Sequence, residues 1–237
     1  MISSVTKPVL TSDPSKIVAP AAWLAMVATA AVIPLLASLH VLSPEFDPSW
    51  RVVSECALGH YGWVLSLMFL SWGISSWALV IAIRSQVQTM GGRVGLWFLI
   101  AAGVGEAMAA VFDIRHETGH GIAGLLGVVG FPVAALLLSA SLGRTEAWRG
   151  ARKTLLWLAN LSWLSVVLLV ITLVIMTMQV AHAMGGHLPE HAPKVLPAGV
   201  VGLDGWANRL IVLSYCAWVW AAAWQAIKLR RRGAGGA

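Results

Sequence analysis

Charge is scarce in this chain. Lys and Arg number 16 and Asp and Glu 10 among 237 residues, so charged side chains make up 11% of the total, less than half the share of a typical globular domain. That shortage excludes a water-soluble domain of this length. It suffices for the short loops of a helical bundle whose surrounding solvent is lipid. Cysteine is nearly missing as well. Cys56 falls in a loop and Cys216 deep in the last apolar run, which excludes a disulfide scaffold and reads as two unpaired packing residues. Tyrosine appears twice against 13 tryptophans, and tryptophan is the residue that gathers at membrane interfaces.

What fills the chain is hydrocarbon. Apolar residues make up 58% and mean hydropathy is +0.79. Six apolar runs, at 17–40, 61–83, 94–113, 120–142, 154–181 and 205–229, are each long enough to cross about 30 Å of hydrocarbon at about 1.5 Å per residue. The first run is too long for a signal-peptide core and is read as a span. The expected fold is all-α: a polytopic bundle of six transmembrane helices. It divides into an N-terminal tail at 1–16, a membrane domain at 17–229 and a basic C-terminal tail at 230–237.

The net charge of +6 invites a nucleic-acid reading, but no nucleic-acid motif is present. The basic residues instead sort by side. Lys7, Lys16, Arg84, Arg93, Arg144, Arg149, Arg152, Lys153, Lys228, Arg230, Arg231 and Arg232 fall at one end of the spans, and Arg51, Arg115, Lys194 and Arg209 at the other. This bias places both termini in the cytoplasm. Every histidine (His40, His60, His116, His120, His182, His187 and His191) falls on the opposite, outer side. With them lie the carboxylates Glu45, Asp47, Glu55, Asp113, Glu117, Glu190 and Asp204.

Four constellations on that side can carry chemistry. The string His116-Glu117-Thr118-Gly119-His120 is an H-E-x-x-H pattern. On a helix its two imidazoles share a face suited to zinc, with Glu117 as general base. A third ligand has to come from Asp113, His182, His187, Glu190, His191 or Asp204; His191 is taken as that ligand. Against this, Gly119 and Gly121 weaken a helix, and Asp113 or Glu117 serves equally well as a helix cap. Glu106 lies inside the third span, where a carboxyl is costly unless protonated, paired or facing a polar cavity. It reads equally as a functional group or as a neutral packing residue hydrogen-bonded across the bundle, and either way points inward. In the first outer loop, Asp47-Pro48 reads as a helix start and Arg51 and Glu55 as an i,i+4 pair. Ser54 and Glu55 then sit near His60 over the bundle mouth, although no nucleophile elbow surrounds Ser54. The series Met176, Met178, His182, Met184, His187, His191 suits copper, but reads better as core filler running into a loop. Gly121, Gly124, Gly127 and Gly130, three apart, predict a smooth face that another helix approaches closely, which places the fourth span centrally.

Phe46-Asp47-Pro48-Ser49-Trp50-Arg51, Val53-Ser54-Glu55-Cys56-Ala57-Leu58-Gly59-His60-Tyr61-Gly62-Trp63, Gly105, Phe112-Asp113, Gly119-His120 and Gly202-Leu203-Asp204-Gly205-Trp206-Ala207-Asn208-Arg209-Leu210 follow one another in a familiar order. Over residues 17–229 the chain resembles the bacterial membrane family catalogued as domain of unknown function family 998, itself distantly similar to the Frag1/DRAM/Sfk1 membrane proteins. The resemblance implies six helices, residence in a bacterial inner membrane and an outer polar cluster at Ser54, Glu55, Asp113, His120 and Arg209. It brings no reaction. Three function classes follow. The first is a lipid-handling, accessory or small-ligand-binding membrane protein. The second is an outer-leaflet zinc hydrolase using His116, Glu117, His120 and His191. The third is a redox protein, for which a two-haem arrangement fails because it needs histidines on both sides. Membrane lipid is the expected partner, with a membrane subunit or a second copy of the chain as a further one.

Overall fold

The structure, a computed structural model, describes residues 14–187, 193 and 195–234. Seven α-helices carry it: α1 Pro14–Leu42, α2 Gly62–Ile83, α3 Met90–Val111, α4 Glu117–Gly124, α5 Gly130–Leu142, α6 Arg149–Ala183 and α7 Asp204–Ala234. A π-helical turn at Leu125–Val129 joins α4 to α5, so the two make one span, Glu117–Leu142. Six helical stretches are thus long and apolar enough to cross a membrane, and no strand occurs among the described residues. An even number of crossings leaves both ends of the spanning region on one face of the bundle. The opposite face holds the 43–61 and 112–116 connections and the start of α7, and is the one that the charge bias assigns to the outside.

At the start of α3 the helix outruns the apolar run because its polar terminus is capped. The hydroxyl of Thr89 accepts the Gly92 amide at 3.0 Å, starting α3 four residues before its first long aliphatic side chain. Thr89 also meets the Ser141 hydroxyl at 2.6 Å, tying α3 to the inner end of α5. The π turn has a visible cause. Pro132 offers no amide to the carbonyl four residues back, and the helix widens just upstream to accommodate it.

The last span, rather than the fourth, is the central one. α7 is the most enclosed of the six and packs on α1, α2 and α6. Its Tyr215 and Trp218 are fully buried. Tyr215 stacks on Phe131 and meets the Ser76 hydroxyl, while the Trp218 indole donates to Ser139 Oγ at 2.9 Å. The glycine expectation needs a matching correction. Only Gly127 of the predicted four sits at a close approach; Gly121 and Gly124 have open space where a side chain would grow. The tight seam is made by glycines of α3: a Cβ on Gly105 would lie 2.6 Å from the Ala123 carbonyl, and one on Gly103 2.5 Å from the Trp77 indole. The least enclosed span is α6, whose outward face of Leu164, Val167, Ile171 and Val174 is exposed aliphatic surface. Trp63, Trp97, Trp157 and Trp206 project outward near the helix ends, as interfacial anchors do.

Candidate functional site

The 43–61 connection forms a roof over the outer end. The helix expected from Asp47 begins six residues later. Asp47 instead closes a turn, accepting the Ser49 amide at 2.9 Å and the Ser49 hydroxyl at 2.7 Å; these bonds hold its carboxyl below the usual range. A 3-10 helix then runs Val53–Leu58. Its start is pinned to α7, where Asn208 Oδ1 accepts the Val53 amide at 2.9 Å. Gly205 has to be glycine here, since a Cβ would lie 2.7 Å from the Arg51 carbonyl and collide with that of Pro48.

Two polar groups lie beneath this roof. In the first, Arg51 donates to Glu55 Oε1 at 2.7 Å and the Val52 amide to Oε2 at 3.0 Å. The pair predicted from spacing is therefore present and mostly buried. Burial raises the Glu55 carboxyl above its ordinary range and Asp204 adds to the rise, while Arg51 pulls against it. Burial likewise pushes the Cys56 thiol up to about 11, and Cys56 and Cys216 are both free and buried. Arg209 stands apart from Glu55. Its Nε donates to His40 Nε2 at 2.8 Å, and its Nη1 to the Arg51 and Gly205 carbonyls at 2.8 and 2.9 Å. Since His40 Nε2 accepts, that nitrogen carries no proton and the imidazole is neutral.

The second group is an interior cavity of about 80 Å³, several times the room one water needs. Ser54 and Val53 of the roof cover it, His120 and Gly124 of α4 flank it, and Phe69, Trp72 and Asn208 complete the wall. Glu106 lines it too, 5% exposed, with no protein hydrogen bond to its carboxyl among the described residues. Gly127, inside the π turn, makes room for that carboxyl: a Cβ there would stand 2.6 Å from Glu106 Oε1. The Trp72 indole N–H, also buried, has no partner among the described residues. Among the described residues no Lys or Arg lines the cavity, and its ionisable lining is one carboxyl and one imidazole.

The predicted residues thus divide. Ser54, Glu106 and His120 meet at one cavity, and Glu55 lies in the adjoining roof pair. Arg209 belongs to a separate network with His40, a partner that sequence reasoning missed. Asp113 turns outward to Arg115, which also donates its backbone amide at 2.9 Å; these bonds hold the Asp113 carboxyl well below the usual range. His116 occupies the cap position before α4, not the helix, with Nδ1 3.5 Å from Asp113 Oδ1. His120 Nδ1 lies 3.0 Å from the Phe112 carbonyl, and Glu117 is exposed. Among the described residues no three His, Cys, Asp or Glu side chains converge on a point; His191 and Glu190 lie outside the described residues. Met178 and Met184 are exposed rather than core filler.

No curated protein and no solved structure matches the chain. A family model does, over residues 17–225. With nearly the whole membrane domain matched, the chain belongs to the family described as Protein of unknown function (DUF998).

Proposed function

We propose that this multi-pass membrane protein is a small-ligand-binding protein, and that its outer cavity takes a small organic cation of the ammonium class. The observation that carries this reading is Glu106, a buried carboxyl with no protein hydrogen bond among the described residues, lining a pocket with no Lys or Arg among them. An ionised carboxyl kept at that depth is costly unless something fills the role of partner. The aromatic faces of Phe69 and Trp72 suit the alkyl and cationic parts of such a ligand, and Ser54, His120 and Asn208 supply hydrogen-bonding groups toward the roof.

The alternative, zinc-assisted hydrolysis at His116, Glu117 and His120, has less support. His116 and His120 engage different acceptors, and Glu117 points to solvent. Metal analysis of the purified chain beside His120→Ala separates the two, since stoichiometric zinc lost in that variant would establish the hydrolase site.

The cavity reading is tested by thermal unfolding in detergent with ethylammonium or tetramethylammonium, against 1-propanol as a neutral analogue. A saturating ligand at about 100 times its Kd stabilises by about 2.7 kcal/mol. The wild-type melting temperature is expected to rise with the ammonium compounds alone, and not to rise in Glu106→Gln. Equal response of the variant and the wild type sinks the proposal, as does no response of either.

A further inference from the structure

A lateral groove runs down the seam between α1 and α7, on the far side of α7 from the cavity. Its outer part, about 470 Å³, is walled by Ile33, Ala37 and Leu213 with Trp206 at the rim. Its deeper part, about 360 Å³, shares Ile33 and Leu213 and continues to Trp220. The seam from His40 to Thr29 is eleven residues of helix, about 16 Å, roughly the hydrocarbon depth of one leaflet.

Among the described residues the charged or imidazole side chains lining the groove are His40 and Arg209, both at its outer end, with the Cys216 thiol in its deeper part. Arg209 is 4% exposed, yet no carboxylate lies within ion-pairing distance of it among the described residues. Its Nε and Nη1 are used by His40, Arg51 and Gly205, whereas Nη2 has no protein acceptor among the described residues. Glu55 is already held by Arg51 and the Val52 amide. A buried guanidinium with a spare pair of N–H donors heads an apolar slot open to the side. That combination is complementary to an acidic headgroup followed by an acyl chain.

We propose that the α1–α7 seam is a binding site for one anionic glycerophospholipid of the outer leaflet. Its phosphate accepts from Arg209 Nη2, and an acyl chain lies along Ile33 and Leu213 toward Trp220. Among the described residues no carboxylate lines the groove to offset a headgroup ammonium, which meets the Arg209 guanidinium as an uncompensated like charge. This site is independent of the cavity proposal.

Native mass spectrometry of the detergent-purified full chain with phosphatidylglycerol or phosphatidylcholine tests it. The wild type is expected to hold one phosphatidylglycerol about tenfold more tightly than phosphatidylcholine, whose ammonium is repelled by the Arg209 guanidinium with no carboxylate in the groove to offset it. Ala37→Trp fills the slot without touching any bond of Arg209, and is expected to lose the bound lipid while keeping the wild-type melting temperature. Arg209→Gln is expected to lose the preference. Equal retention of both lipids by the wild type overturns the proposal, and so does undiminished phosphatidylglycerol binding by Ala37→Trp. Displacement of the lipid by soluble glycerol phosphate would also overturn it, by showing that the acyl chain contributes nothing.

Discussion

Gly127 and Gly121 lie in one span, six residues apart, and the structure assigns opposite consequences to the same substitution. A methyl at Gly127 falls 2.6 Å from Glu106 Oε1, whereas nothing stands within 4 Å of one at Gly121. Removing a glycine from a helix interior gains up to about 1 kcal/mol, and to first order this gain is common to both variants and cancels in their difference. What remains is overpacking at Gly127, which in well-packed sites costs about 1–3 kcal/mol. The obstructed atom is the end of a flexible side chain that has a cavity to swing into, so the lower half of that range applies. Gly127→Ala should therefore melt below Gly121→Ala by about 2–8 °C, at about 2–4 °C per kcal/mol for a chain of this size. Tryptophan fluorescence during a temperature ramp in one detergent measures both variants against wild type, with Gly124→Ala as a second open-space reference. Gly127→Ala melting at or above Gly121→Ala would refute the reasoning, because the carboxyl would then not occupy the space that the missing Cβ leaves.

The remaining predictions concern the roof and the outer connection. Glu55→Ala leaves Arg51 buried and unpaired beneath the roof, and should cost about 3 kcal/mol or somewhat more, read as a lowered melting temperature; Glu55→Gln, which keeps one acceptor, should cost less. The Cys56 thiol, pushed up to about 11, should resist maleimide at neutral pH in the folded chain, with a labelling rate that climbs about tenfold per pH unit. Asp113→Asn should lower the melting temperature only slightly at neutral pH, since its partner Arg115 is solvent-exposed and the pair is screened by water. The native carboxyl is held below its unfolded value, so its contribution is present above about pH 4. The gap between wild type and Asp113→Asn, followed by melting temperature against pH, should narrow in acid as the native carboxyl protonates.

The spans were legible because each is a run of hydrocarbon long enough to cross a bilayer, and no soluble alternative exists for such runs. Their ends were less so. Met90 to Arg93 and Arg149 to Lys153 are helical on account of caps and preceding turns that hydropathy does not register. Spacing found the Arg51–Glu55 pair since both residues lie in one local segment, and depth alone placed Glu106 against the interior. The same logic failed for His116 and His120. Their four-residue interval implies a shared face only inside a helix, and α4 begins after His116. It failed again for the glycine series, where the π turn breaks the regular advance around the axis. Arg209 and His40, 169 residues apart, had no local signal to connect them; only the packing of the last helix beside the first reveals the pair.

The placement of α7 has a consequence for biogenesis. This helix gives the cavity the wall containing Asn208, anchors the roof through the Val53 amide and Gly205, and provides Arg209 to the groove. Five inserted spans therefore hold an open trough. A translating ribosome has to deliver residues 204–213 before either compartment exists, so the outer chemistry waits on the last of the six spans.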